Sequence, residues 1–305
     1  MNKKVSYSTT SVHRDYSEIE LVEIAKKIGA DGINLSLWYS VLYDDCIYSK
    51  SDDEICEYFT KVRKRADELG IKICQTHGRI RGYIDGDDEY NNVIHPKNAR
   101  LDCMVTKILG APVTVFHSSN TAKNLDASPE RMREMTFDMF TKSLEFAKEF
   151  DVQIATETFG AGGHLCRENG TRDFFGSISE FKNIYDRICA IGNNKDYFKI
   201  CVDTGHTHNC VQFGEPSVGD TIRFLGKDIV CLHLHDNDGI KDSHRLPKSG
   251  TIDWDDVFDA LDEIGYDGYY NLEVANRKFG DNLMVDTAEF SIKVLKNMLS
   301  VRYGN

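Results

Sequence analysis

FKICVDTGH, residues 198–206, and IVCLHLHD, residues 229–236, decide the reading of the fold. Each is a short apolar, β-branched run that ends in side chains able to hold a metal ion, and each follows a helix-like segment. Side chains alternate across a strand, so His233 and His235 share one face while Leu232 and Leu234 take the other. His235, nearer the end of its run, reaches the rim, and His233, one layer deeper, reads as a hydrogen-bonded core histidine.

The same unit recurs on both sides. Further strand candidates are KVSYST (4–9), GINLSLW (32–38), IKICQTH (71–77), VTVFHSS (113–119), VQIATET (152–158) and YYNLEVA (269–275). Between and after the strands, residues 18–30, 52–70, 96–111, 129–150, 177–192, 218–226, 253–265 and 285–300 carry apolar residues at helical spacing. Eight alternations predict a parallel sheet with helices outside, and eight is the number that closes a (β/α)8 TIM barrel. Such a barrel uses about 250 residues, so a single domain over 1–305 is the expectation. An open doubly wound sheet is disfavoured because no G-x-G-x-x-G follows the first strand. The longer connections 78–95, 159–176 and 237–254 read as substrate-covering loops at the C-terminal rim.

The net charge of −12 opposes binding to nucleic acid or an anionic membrane. The densest basic run, KVRKR at 61–65, lies within a helix-like segment and reads as a solvated face. Nine cysteines without a C-x-x-C pair make a poor disulfide framework, so a reducing cytoplasm fits. Cys74, Cys201 and Cys231 read as core packing. No apolar run is long enough to cross a bilayer.

Nine polar residues, His77, His117, Glu157, Asp203, His206, His235, Asp242, His244 and Glu273, are read as falling at the ends of predicted strands. In a barrel they converge on one rim. An unpaired buried carboxylate costs several kcal/mol, roughly, unless a cation or donors satisfy it. Glu157, Asp203, His235 and Glu273 form an oxygen-rich set with one imidazole, which suits Mn²⁺ first and also Co²⁺, Mg²⁺ or Zn²⁺. Trp38, Phe116 and Phe159 are candidate walls for a sugar ring, equally readable as packing. His13 and His95 read as solvated loop histidines.

The chain resembles the xylose-isomerase-like barrel superfamily, which holds sugar isomerases and epimerases, inosose-processing enzymes and the endonuclease IV family. The resemblance covers nearly the whole chain and is densest in CVDTGHTH, HLHDNDG and HRLPKSGTIDWDDVFDALDEIGYDGYYNLE. Similarity to the ketose 3-epimerase branch implies that Glu157, Asp203, His235 and Glu273 hold one divalent metal and that His206 contacts a substrate oxygen. Similarity to the endonuclease IV branch implies further metal ligands: His77 with His117, and His206 with Asp242 and His244. In sugar-handling relatives such histidines contact hydroxyls instead. Pro247-Lys248-Ser249-Gly250 replaces the usual glycine-rich turn beside Asp242 and His244. Relatives of this kind are often dimers or tetramers, so a homo-oligomer is implied by resemblance.

The expected function is a divalent-metal-dependent isomerase or epimerase acting on a small ketose, aldose or oxo-sugar. Glu157 and Glu273 face each other and serve as base and acid for a proton beside a carbonyl, through a metal-stabilised enediolate. His77, His117, His206, His244, Arg167 and Trp38 are the expected substrate-binding residues. Arg79, Arg81 and Tyr83 are loop candidates for a sugar or its phosphate. A dehydratase or lyase acting on an oxo-sugar or inosose, including cleavage of a 3-oxo-glycoside, would use the same metal and base. A phosphodiesterase of the endonuclease IV kind, with several metals, is the alternative from a different class.

Overall fold

The computed structural model describes residues 3–38, 46–119, 128–160 and 174–304. Its eight strands are β1 (Val5–Ser8), β2 (Gly32–Ser36), β3 (Lys72–His77), β4 (Val113–Phe116), β5 (Gln153–Glu157), β6 (Phe198–Asp203), β7 (Ile229–His233) and β8 (Tyr270–Leu272). They pair in parallel in the order β7-β6-β5-β4-β3-β2-β1-β8. A bridge between Leu234 and Leu272 joins the two ends, with Leu234 N donating to the Asn271 carbonyl at 2.8 Å. The sheet thus curls into the (β/α)8 barrel that the alternation predicts.

The helices are α1 (Glu18–Lys27), α2 (Asp52–Leu69), α3 (His95–Leu109), α4 (Pro129–Phe150), α5 (Ile178–Cys189), α6 (Asn194–Tyr197), α7 (Thr204–Cys210), α8 (Val218–Leu225), α9 (Trp254–Glu263) and α10 (Met284–Tyr303). Local chemistry starts them where the sequence indicates. Ser17 with Glu20 and Ser51 with Glu54 form complete capping boxes, each satisfying backbone N–H groups that a helix start leaves open. Gly70 ends α2 at φ 67°, a left-handed conformation that a Cβ would strain.

The barrel interior has two characters. Val113, Val115, Ala155, Cys201 and Cys231 pack as an apolar cluster from β4 to β7. On the opposite side, Ser6, Asn34, Gln75 and Asn271 point inward and are buried, and Ser6 Oγ donates to Asn271 Oδ1 at 3.0 Å. Together they form a polar shelf beneath the rim, from which Asn34 Nδ2 lies 3.3 Å from His233 Nε2. The eight described cysteines are all free. No described helix is long and apolar enough to cross a membrane.

Candidate active site and metal centre

Glu157 is the last residue of β5, and its carboxylate lies among imidazoles. Oε2 is 3.4 Å from His77 Nε2, 3.2 Å from His117 Nε2 and 3.2 Å from His233 Nδ1, while Oε1 is 3.1 Å from His206 Nδ1. Glu273, just beyond β8, places Oε2 2.9 Å from the same His233 Nδ1. The two glutamates therefore approach one point inside the barrel from different strands.

Asp203 ends β6 and caps α7, its Oδ1 accepting from His206 N at 2.6 Å. A short helix starting directly off the strand turns His206 into the mouth, a turn that the sequence reading missed. Thr204 Oγ1 donates to the His235 carbonyl at 2.7 Å and accepts from His235 N at 3.0 Å, which locks the tips of β6 and β7 together. His235 Nε2 then reaches Asp203 Oδ1 at 2.9 Å. Gly205 lies against that ring: a Cβ there would sit 2.0 Å from His235 Cε1.

Asp242 and His244 come from the connection after β7 rather than from a strand end. Asp236 and Arg245 exchange two backbone hydrogen bonds at 2.8 Å, folding the loop back over the rim. The Asp236 carboxylate accepts from Asn237 N, Ile252 N and Trp254 Nε1 at 2.9, 3.2 and 2.9 Å. The Pro247–Gly250 turn leaves this arrangement intact: Asp242 Oδ2 is 3.3 Å from His206 Nε2, and Asp242 Oδ1 is 3.2 Å from His244 Nε2. His244 adopts φ 43°, while its Nδ1 hydrogen-bonds the Glu273 carbonyl at 2.9 Å. Strain in a non-glycine residue persists where surroundings fix it, often at functional sites.

Among the described residues, four groups of donor atoms lie mutually within 4.8 Å: His206, His235, Asp242 and His244; His77, Glu157 and His233; Glu157, Asp203 and His206; and Asp203, His233 and Glu273. The nine residues singled out in the sequence thus converge, with His233 as a tenth. Glu157 Oε2, Glu273 Oε2, Asp242 Oδ1 and His117 Nε2 are buried without a hydrogen bond of good geometry. Four carboxylates gathered in a buried rim with open lone pairs fit a divalent cation, since buried charge without compensation is costly.

Imidazoles and carboxylates of the site hold one another in their charged forms. Burial pushes the Glu157 and Glu273 carboxyls up, but His233 and other nearby imidazoles outweigh it and hold both well below the ordinary range. His206 and His233 are opposed by burial and held well above the usual imidazole range by carboxylates. His244 is likewise raised to about 9, against burial, chiefly by Asp242. His117 is lowered by burial, which leaves a neutral, ligand-competent ring.

Some sequence expectations need correction. His233 is fully buried, as a core histidine would be, yet it bridges Glu157 and Glu273 and belongs to the site. Phe116 is no sugar wall: Val113 and Val115 face inward, so the alternation turns Phe116 into the helix layer, where it is fully buried. Phe159 does line the site, its ring 4.9 Å from His117 and 5.0 Å from His206. Arg79 is buried and donates to Asp102, and Tyr83 is buried against His95, so neither reaches for a ligand. His13 and His95 are buried rather than solvated: His13 pairs with Glu18, and His95 starts α3. Trp38 follows β2 and is half-buried, while Arg81 is exposed. Arg167 and most of the 159–176 loop lie outside the described residues.

Comparison with known proteins supplies the wider setting. The chain is 28% identical over 168 residues to the uncharacterised protein y4fM of Sinorhizobium fredii, and the match spans 54% of this chain and 48% of that protein. A second uncharacterised relative, from Methanocaldococcus jannaschii, is 35% identical across 53% of this chain and 64% of its own length. The chain therefore spans less than two thirds of either. An inosose isomerase of Bacillus velezensis is 22% identical over 90% of this chain and 88% of that enzyme.

Among solved structures, the 3-keto-D-glucoside 4-epimerase YcjR of E. coli superposes with a TM-score of 0.71 at 14% identity, covering 97% of this chain and 99% of that one. A zinc-bound IolI protein superposes at 0.69 and 19% identity, covering 98% and 97%. At such identities the superpositions speak for the fold. A family model described as xylose isomerase-like TIM barrel matches residues 22–298, so the chain belongs to that family.

Proposed function

We propose that the protein is a divalent-metal-dependent sugar isomerase or epimerase that moves a proton beside a carbonyl of a small ketose, aldose or oxo-sugar. The observation that carries this reading is the pair Glu157 and Glu273, whose Oε2 atoms lie 3.2 and 2.9 Å from one His233 nitrogen. Two carboxylates converging on one volume supply a base and an acid for the two sides of a carbon acid. Glu157, Asp203, His235 and Glu273 would hold the cation, Mn²⁺ before Co²⁺, Mg²⁺ or Zn²⁺. Bound there, it would polarise the carbonyl and offset the charge that develops as the proton leaves.

The chain's own residues define the rest of the task. One glutamate removes the proton and the other returns it. His206, its ring nitrogens facing Asp203 and Asp242, is the imidazole that would contact a substrate oxygen. His77, His117 and His244 are the imidazoles that would exchange a carboxylate partner for a substrate hydroxyl, and Phe159 offers an apolar face to a ring. The epimerase named in one superposed structure and the inosose isomerase among the relatives support a sugar substrate. A mannonate dehydratase of Oceanobacillus iheyensis, 24% identical over 80% of this chain and 73% of that enzyme, keeps elimination from the same base as a variant outcome.

The group of His206, His235, Asp242 and His244 favours one competing reading, a phosphodiesterase using several metals. Two measurements separate the readings: metal content of Mn²⁺-reconstituted protein, and deuterium uptake from D2O into a panel of ketoses and inososes followed by NMR. About one metal per chain with exchange at carbon is expected. Three metals per chain, no exchange and cleavage of a phosphodiester would replace the isomerase reading.

A further inference from the structure

A second pocket, of about 300 Å³, opens beside the site between the C-terminal ends of β8 and β1. Glu273 and His244 form part of its wall, so it adjoins the centre described above. Its other lining is unlike the acidic remainder of a chain of net charge −12: Arg14, Arg277 and Lys278 meet there with the hydroxyls of Ser8, Thr10 and Ser11.

The cations are positioned for use. Arg277 is held in place by Asp15 and by Asp281, the latter at 2.8 Å, so its guanidinium is fixed but largely neutralised. Lys278 Nζ donates to the Ser243 carbonyl, a neutral partner that orients the ammonium without cancelling its charge. Arg14 is exposed at the pocket. Ser8 Oγ and Thr10 Oγ1 lie 3.0 Å apart and extend the donor surface inward from the cations. Ammonium, guanidinium and hydroxyl donors together are the chemistry that recognises a phosphate or carboxylate. A cavity of about this size takes a sugar-sized body.

We infer that this pocket receives an anionic substituent of the sugar, so that the substrate is a sugar phosphate or a sugar acid rather than a neutral ketose. The inference rests on the isomerase or epimerase reading for the identity of the rest of the ligand. Glu273 and His244, shared by the pocket and the site, place the reacting carbon at the inner end and the anion at the outer end.

The test is equilibrium binding to the full chain, with and without Mn²⁺, of D-fructose 6-phosphate, D-gluconate and D-fructose, by titration calorimetry. One anion is expected to bind at least about tenfold tighter than D-fructose, and that preference falls as salt rises. Lys278→Met and Arg14→Gln should each reduce the ratio of anion to neutral affinity by about tenfold, as loss of a charge-assisted hydrogen bond does. Preference for the phosphate over the gluconate, or the reverse, identifies the anion. Equal affinities for all three ligands, or a ratio that neither substitution changes, overturn the inference. Deuterium exchange into neutral ketoses would then still stand as evidence for the isomerase reading. Substitution-sensitive anion binding without exchange at carbon would uphold the pocket while removing that reading.

Discussion

Gly205→Ala tests whether the tips of β6 and β7 build the site as a single unit. The added Cβ would lie 2.0 Å from His235 Cε1 and 2.3 Å from Nδ1, more than 1 Å inside a contact distance of ~3.5 Å. The ring has little room to retreat. Its Nε2 is tied to Asp203 at 2.9 Å, and its plane stacks on His244 with centroids 3.8 Å apart and 8° between planes. The backbone is also held, because Asn237 Nδ2 donates to the Gly205 carbonyl at 2.7 Å and Thr204 is bonded to His235. Overpacking of this kind costs about 1–3 kcal/mol, and displacing a metal-ligating ring lowers metal affinity by about 10–100-fold. Thermal unfolding and Mn²⁺ titration of the purified variant measure the two effects separately. In a His235→Ala background the stability penalty should shrink, because the clashing ring is gone. Wild-type stability and Mn²⁺ affinity in Gly205→Ala, or a penalty of the same size in the His235→Ala background, would show that the Gly205–His235 contact does not govern the site.

Other consequences can be measured directly. Glu273→Gln should lower deuterium exchange by about 10²–10⁴-fold while circular dichroism stays unchanged, and full activity would remove Glu273 from the proton transfer. Asp236→Ala strands three donors at about 1–3 kcal/mol each, so urea unfolding should show a loss of at least about 3 kcal/mol; a loss under about 1 would mean that another contact holds the loop. Burial lowers the His95 pKa to about 3, against ~6.5 in the unfolded chain, so the unfolded state takes up the proton first as pH falls. Stability should therefore be full above about pH 6.5 and decline toward pH 3, by about 2 kcal/mol at pH 5 from this group, and His95→Gln should lack that component in urea titrations. Mn²⁺ binding at pH 7 should release at least about one proton, because His206, His233 and His244 are all held above the ordinary range by carboxylates that the cation would take over. Calorimetry in buffers of different ionisation enthalpy reads the number, and buffer-independent heats would mean that the metal binds elsewhere.

The barrel was legible because its signals are local. Apolar runs of four to eight residues and the helical spacing of apolar residues depend on neighbours in sequence. Alternation also identified which polar residues would point inward, and it placed His235, Glu157 and Asp203 on one rim. The misreadings arose where burial depends on distant parts of the chain. Phe116 obeys the alternation, but its inward or outward sense is set by Val113 and Val115 meeting Ala155, Cys201 and Cys231 across the barrel. His95 follows a polar stretch that reads as exposed, yet Tyr83 from the preceding loop covers its ring at a centroid distance of 5.0 Å. Arg79 looks like a ligand-binding loop residue until Asp102, 23 positions later on α3, folds beneath it.

His233 shows why depth in the barrel was the hardest property to read. Two residues before His235 on the same face, it belongs one layer down, where neighbours from β5 and β8 decide its role. Asn34 Nδ2 lies 3.3 Å from its Nε2 and fixes the ring from the polar shelf, leaving Nδ1 to face Glu157 and Glu273. A deeper imidazole held in this way meets both carboxylates from below, and Asn34 of the polar shelf supports that arrangement. The half-polar interior is thus tied to the chemistry at the rim, since an apolar residue at 233 would remove the imidazole that both glutamates approach.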